Sequence, residues 1–277
     1  MTRVMVTGAA GQLGSAVVAR LSASCDVAAF ARAQLDLGDA PAVLDTMTAC
    51  SPDVVINCAA YNDVEAAEDA APAAITGNAL AVQALARAAN VTRATLIHYG
   101  TDFVFDGAVA RPYVESDPCR PLSIYGMSKL LGEWFAFEAP GTYILRVESL
   151  FGGRPAKSSI DKILAAARAG QPVRVFADRT VTPSFVDDVA AATEQLMASR
   201  PAPGVYHCVN NGVTTWLGIG EEIARLLGRD VELIPVKSAE AKLKARRPVY
   251  CALSNEKLRD AGIAMPTWQD ALKRYIG

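Results

Sequence analysis

Tyr125 and Lys129 stand four residues apart. At helical spacing they share one face, about one turn or roughly 6 Å apart along the axis, which sets an ammonium beside a phenol. A phenol with a pKa of about 10 exchanges protons poorly at neutral pH, and a fixed cation nearby favours the phenolate and lowers that value. The pair therefore predicts a Tyr125 able to act as an acid near pH 7. The same spacing occurs on ordinary amphipathic helices, so the surrounding elements decide. One is the strand end Tyr99-Gly100-Thr101-Asp102, because ligands of open α/β sheets lie outside the carboxyl ends of the strands. A Thr101 hydroxyl beside Tyr125 offers a second donor to a carbonyl oxygen and polarises it towards hydride attack. Thr101, Tyr125 and Lys129 together predict carbonyl reduction.

Hydride must come from a cofactor, and the start of the chain predicts where it binds. The apolar strand Val4-Met5-Val6 runs into Thr7-Gly8-Ala9-Ala10-Gly11-Gln12-Leu13-Gly14 and then a helical pattern to Leu21. In such a turn Gly8 bends the chain, Gly11 admits a pyrophosphate to the backbone and Gly14 lets helix and strand pack closely, with the helix N-terminus favouring the anion. The spacing is GxxGxxG, one residue longer than GxGxxG. The second strand, Asp26 to Phe30, ends Ala29-Phe30-Ala31-Arg32, with no acid to hold a ribose 2′-hydroxyl. Arg32 is placed to meet a 2′-phosphate, which predicts NADPH, with NADH possible. Asp36 either orients the adenine or fixes its own turn.

Apolar strands over Pro52 to Ala60, Thr95 to Tyr99 and Tyr143 to Val147 alternate with helices. They predict an α/β fold, a doubly wound Rossmann-type parallel sheet with right-handed crossovers. The acids Asp63, Glu65, Glu68 and Asp69 follow a helix start with a capping-box pattern and read as dipole-complementing charges. After Gly152-Gly153-Arg154-Pro155 the texture changes, and Gly204 to Val209 returns to the main sheet. Residues 1–150 and roughly 186–210 are expected to form the cofactor domain. Roughly 151–185 and 211–277 form a smaller, partly discontinuous C-terminal substrate lobe.

The formal charge of -2 gives no basis for binding nucleic acid or an anionic membrane surface. Six scattered cysteines without CxxC spacing read as reduced residues, His98 and His207 read as core residues, and no metal site is expected. No apolar run approaches the ~20 residues of a membrane span, and the N-terminus carries no signal-peptide pattern. A cytoplasmic protein is expected, monomer or homodimer.

Assembled in order, these segments resemble the extended short-chain dehydrogenase/reductases and, within them, the dTDP-4-dehydrorhamnose reductase family. The resemblance rests on GAAGQLG (Gly8 to Gly14), PDVVINCAAYNDVEAAE (Pro52 to Glu68), TDFVFDG (Thr101 to Gly107), Pro112-Tyr113-Val114-Glu115, PLSIYGMSKLLGE (Pro121 to Glu133) and Arg247-Pro248. It implies that Thr101, Tyr125 and Lys129 are catalytic and that NADPH reduces the 4-keto group of a nucleotide-activated deoxysugar, dTDP-4-dehydrorhamnose to dTDP-L-rhamnose. It also implies cofactor contacts at Gly11, Gln12, Leu13, Asp36, Leu37, Ala59, Ala60, Tyr61 and Tyr99, and a substrate contact at Asp102. Arg247 is expected to neutralise the substrate diphosphate. The family's usual Ser-Trp after the strand arginine is Glu148-Ser149 here, so Ser149 takes the place of a sugar-contacting Trp. Gly100 replaces a usual Ser, Ala66 a usual Lys, and Arg179 to Ser184 depart from the more usual Gln and Thr.

Two other readings share parts of this pattern. Sugar-nucleotide epimerases and dehydratases have the same fold and Tyr/Lys pair, but dehydratases carry an acid where Phe103 stands. A non-catalytic, NADP-binding regulatory subunit is the third.

Overall fold

The computed structural model describes residues 1–277. In chain order the first half comprises β1 (Arg3–Thr7), α1 (Gln12–Leu21), β2 (Asp26–Phe30), α2 (Ala40–Cys50), β3 (Val54–Asn57), α3 (Val64–Ala67), α4 (Ala71–Ile75), a π-turn (Thr76–Leu80), α5 (Ala81–Thr92), β4 (Thr95–Thr101), α6 (Ile124–Ala136) and β5 (Tyr143–Val147). There follow β6 (Leu150–Phe151), α7 (Ser159–Arg168), β7 (Val173–Phe176), β8 (Thr180–Val181), β9 (Ser184–Phe185), α8 (Val186–Ser199) and β10 (Gly204–His207). Last come β11 (Thr214–Thr215), α9 (Trp216–Leu227), β12 (Leu233–Val236), α10 (Glu256–Asp260) and α11 (Trp268–Ile276).

Six strands form one sheet in the order β10-β5-β4-β3-β1-β2, every pair parallel. Crossover helices cover both faces, so the central strands are apolar throughout, as a parallel sheet buried on two sides requires. On one face α1 and α8 pack over Val4, Val6, Ile97 and Leu145; on the other α2 and α5 cover Met5, Val55, Leu96 and Ile144. The sheet order reverses at β1, which pairs with β2 on one side and with β3 on the other, and in such sheets ligands lie in the crevice at the carboxyl ends beside that point.

A third core of Phe151, Ile160, Leu164, Val175, Phe185, Ile219, Ile223 and Trp268 belongs to the later elements. It includes the parallel pair β7 with β12 and the small pairs β6 with β9 and β8 with β11. No helix is long and apolar enough to cross a membrane, and all six cysteines are free.

The helix bearing Tyr125 and Lys129 is tied down on three sides. Ser123 caps it by accepting from the Gly126 N–H at 3.1 Å, and Glu68 Oε1 takes the Ile124 N–H at 2.9 Å. Asn78, in the π-turn, donates to Ser128 Oγ at 2.9 Å while bonding both backbone groups of Tyr61. From the sheet side, Arg146 makes a buried, bidentate ion pair with Glu133, its shortest bond 2.7 Å.

Candidate active site

The glycine turn takes the predicted shape. Gly8 has φ +66°, where a side chain would be strained. A Cβ at Gly14 would overlap the Gly8 carbonyl oxygen, so helix and strand approach as closely as they do only because that position is glycine. Gly11 forms the N-cap of α1, whose first backbone N–H groups have no capping side chain. The Gln12 side chain is engaged elsewhere, donating to the Gly152 carbonyl at 2.6 Å, and Leu13 is buried in the core beneath.

Around this turn, Arg32 is exposed just past the end of β2 and forms no ion pair. Asp36 uses its carboxylate to accept the Gly38 N–H at 2.9 Å, the turn-fixing alternative. Leu37 faces the core under α2 and α5. Ala59, Ala60 and Tyr61, half-buried, line the end of β3, where Ala59 N–H donates to Asn57 Oδ1. Tyr99 is buried. Its hydroxyl pairs with Thr193 Oγ1 at 2.7 Å in the α1/α8 core, so only its backbone carbonyl faces the site.

At the floor of the crevice the bonding is closely defined. Thr7 Oγ1 and Ala59 N–H both donate to Asn57 Oδ1, so the Asn57 amide nitrogen faces His98 Nδ1, at 3.0 Å. That network assigns the imidazole proton to Nε2, and Nε2 faces Lys129 Nζ at 3.5 Å. Burial and the Lys129 charge hold His98 neutral, well below its ordinary pKa. Lys129 itself is brought down to about 8 by burial, with the Glu133 carboxylate opposing. His98 is thus more than a core residue: it borders the site's buried amine.

Lys129 does not reach the Tyr125 hydroxyl. Its Nζ donates to the Tyr99 carbonyl at 2.6 Å. The expected lowering of the Tyr125 pKa is accordingly reversed: burial, and next the Asp102 charge, push the phenol above its usual value, with a Thr101 hydrogen bond opposing. The physical reason is that shared helix face does not fix shared direction, and a carbonyl at the strand end captures the ammonium. Tyr125 stays a protonated phenol at neutral pH, buried edge-on against Phe103.

Thr101 Oγ1 donates to Asp102 Oδ1 at 3.0 Å and lies beside Tyr125, so the three groups singled out from sequence gather at the carboxyl end of β4. Asp102 is buried, and burial raises its carboxyl to about 6 against a bond from Thr101 and the charge of Arg179. Ser149, half-buried, has a left-handed backbone, φ +45°. Arg247 is held by Glu65 at 2.7 Å, and the same Glu65 accepts the Lys244 N–H. The acids of the α3 segment therefore do more than complement a helix dipole. Asp63 caps α3, but Glu65, Glu68 and Asp69 bind Arg247, the Ile124 N–H and Lys244 respectively.

Two buried residues that the sequence marks only as departures from the family pattern border Asp102. Glu148 and Arg179 are both buried, and both act on Asp102 or its neighbours. Their signal in the sequence is departure from the family pattern at two distant positions, which nothing in the chain order connects.

The family model for the RmlD substrate binding domain matches residues 1–277. The chain belongs to the dTDP-4-dehydrorhamnose reductase family. It is 34% identical to the dTDP-4-dehydrorhamnose reductase of Burkholderia thailandensis, over 98% of this chain and 96% of that protein. It is 35% identical to a probable dTDP-4,6-dihydroxy-2-methyloxan-3-one 4-ketoreductase of Streptomyces antibioticus, over 98% and 93%. Among solved structures, the Bacillus anthracis dTDP-4-dehydrorhamnose reductase in complex with NADP superposes with a TM-score of 0.95 at 30% identity, covering 100% of this chain and 99% of that one.

Proposed function

We propose that this chain reduces the 4-keto group of a nucleotide-activated deoxysugar, dTDP-4-dehydrorhamnose to dTDP-L-rhamnose, with NADPH as reductant. The observation that carries the reading is the meeting of Thr101, Tyr125 and Lys129 at the carboxyl end of β4, beside a glycine turn that opens onto the same crevice.

The residues present fit NADPH. The bare N-terminus of α1 suits a pyrophosphate, and unpaired Arg32 in place of an acid suits a 2′-phosphate. Lys129 is expected to hold the nicotinamide ribose. Bound there, the reduced nicotinamide supplies the hydride. Thr101 and Tyr125 hold the substrate carbonyl oxygen with two hydrogen bonds, which strengthen as negative charge grows on it. Tyr125 then donates its proton. An alkoxide is far more basic than a phenolate, so the transfer runs downhill even from a phenol whose pKa burial has raised. In the free protein Thr101 gives its single hydroxyl hydrogen to Asp102, so holding the carbonyl oxygen requires that hydrogen to turn from the carboxylate to the substrate.

All these groups come from one chain, so one copy carries a complete set, as a monomer or in a homodimer. The six unpaired cysteines support action in the reducing cytoplasm.

Mixing the protein with NADPH and dTDP-4-dehydrorhamnose should give oxidation of NADPH at 340 nm. Tight NADPH binding without oxidation, on this and related 4-keto sugars, would replace this reading with a regulatory one. In the same assay Arg32→Ala should lower the NADPH-over-NADH preference in kcat/KM about tenfold, the scale of one phosphate contact; an unchanged ratio would leave Arg32 as a loop charge.

A further inference from the structure

Beyond Thr101, on the side away from the glycine turn, the chain buries charges that the reduction does not use. Glu148 closes β5 immediately after Val147, the register partner of Thr101. It is 2% exposed. Its Oε2 accepts from the Thr182 N–H at 2.8 Å and from the Thr182 hydroxyl, whereas its Oε1 has no partner. Carboxyl oxygens of Glu148 and Asp102 and the Cys251 thiol all lie within 4.8 Å of one another, and Asp102 is the residue that takes the Thr101 hydroxyl.

Arg179, 7% exposed, reaches the same place from the segment before β8. Its Nη2 is 3.9 Å from Cys251 Sγ, and its charge acts on both carboxyls, yet its Nε also lacks a partner. Buried polar atoms are nearly always bonded, so the open acceptor of Glu148 and the open donor of Arg179, whose charge acts on that carboxyl, call for something that completes them. A metal ion suits this place poorly. The guanidinium already supplies the positive charge, and the Cys251 thiol, donating to the Pro248 carbonyl, is held protonated by burial. A hydroxyl suits it well, because it donates one hydrogen and accepts others.

We propose that Glu148 Oε1 and Arg179 Nε form a polar subsite for one ring hydroxyl of the sugar whose carbonyl Thr101 and Tyr125 hold, making Glu148 a specificity-determining residue of this chain. The inference rests on the reductase reading above. It also accounts for the paired departures at 148 and 179: an acceptor and a donor appear together where one hydroxyl needs both.

The test is calorimetric titration of the NADP+-loaded protein with dTDP-L-rhamnose and its 2-deoxy and 3-deoxy counterparts, in the wild type, Glu148→Gln and Arg179→Gln. Glu148→Gln keeps an acceptor for Thr182 and places an amide NH2 where the free oxygen was. Wild type should bind one deoxy sugar at least ~10-fold more weakly than dTDP-L-rhamnose, since a site built for a hydroxyl rejects the analogue lacking it. In both variants that ratio should fall to within about threefold, the affinity for NADP+ staying unchanged. Equal wild-type affinity for all three, a ratio unmoved by the variants, or no binding at all overturns the subsite. If Glu148→Gln loses NADP+ binding, Arg179→Gln decides. Turnover of dTDP-4-dehydrorhamnose, measured alongside, separates the failures: turnover with a flat ratio removes only the subsite, whereas neither turnover nor binding removes the reductase reading as well.

Discussion

Tyr125→Phe lowers kcat for NADPH-dependent reduction by about 10²–10⁴-fold, the span that one positioned general acid contributes, and leaves the Kd for NADPH nearly unchanged. The split follows from geometry. The phenol is buried against Phe103 and neighbours Thr101 and Asp102, and the groups that fit the cofactor's phosphates lie across the crevice on α1 and after β2. Phenylalanine keeps the ring and its edge-on packing, so the fold loses nothing but the hydroxyl. Stopped-flow oxidation of NADPH and fluorescence titration of the cofactor read the two quantities separately. Activity within a few-fold of wild type would show that the proton comes from elsewhere. A parallel loss of NADPH affinity would mean the hydroxyl serves binding.

A second large effect is expected far from any reacting atom. Arg146→Met strands Glu133, which is 2% exposed and has Arg146 as its only ion-pair partner. Removing one member of a buried pair costs about 3–5 kcal/mol, which for a chain of this size corresponds to a Tm lower by roughly 6–20 °C. Arg146→Met with Glu133→Leu should recover most of that loss, because the pair's desolvation cost goes with its attraction. Differential scanning calorimetry checks both. A single variant melting within about 2 °C of wild type would show that water solvates Glu133 where the structure buries it. At a temperature where both variants are folded, activity should fall more in the double variant than in the single, since Glu133 is one turn from Lys129 on α6 and opposes the drop in its pKa, and only the double removes it. This pair also explains the glycine at position 100. Gly100 is the register partner of Arg146, and a Cβ there would overlap Glu133 Oε1.

Much of the site was legible because it is local. The strand, glycine turn and helix from Val4 to Leu21 are set by hydrophobic period and by where glycine is sterically required, and the i, i+4 relation of Tyr125 to Lys129 is fixed by helix geometry. The apolar runs Pro52 to Ala60, Thr95 to Tyr99 and Tyr143 to Val147 fall on the strands at 54–57, 95–101 and 143–147. Sequence spacing says nothing about where a long side chain ends. Lys129 has several rotamers that share the same helix face, and only the Tyr99 carbonyl beneath it selects the one observed. Tyr99 shows the same limit in a strand: alternation places its side chain on one face, and packing against α8 decides that this face is the core.

What the chain determined by itself was the glycine turn, the acid candidate and the membership of an α/β reductase family, because the first two rest on residues a few positions apart and the third on motifs that follow one another in order along the chain. Only the tertiary structure joined Asp102, Glu148, Arg179, Thr182 and Cys251, which come from separate segments, into one buried group beside Thr101. Burial is a property of the packed whole. The same packing that removes these charges from water raises the carboxyl of Asp102 and holds Tyr125 protonated, neither of which spacing could express.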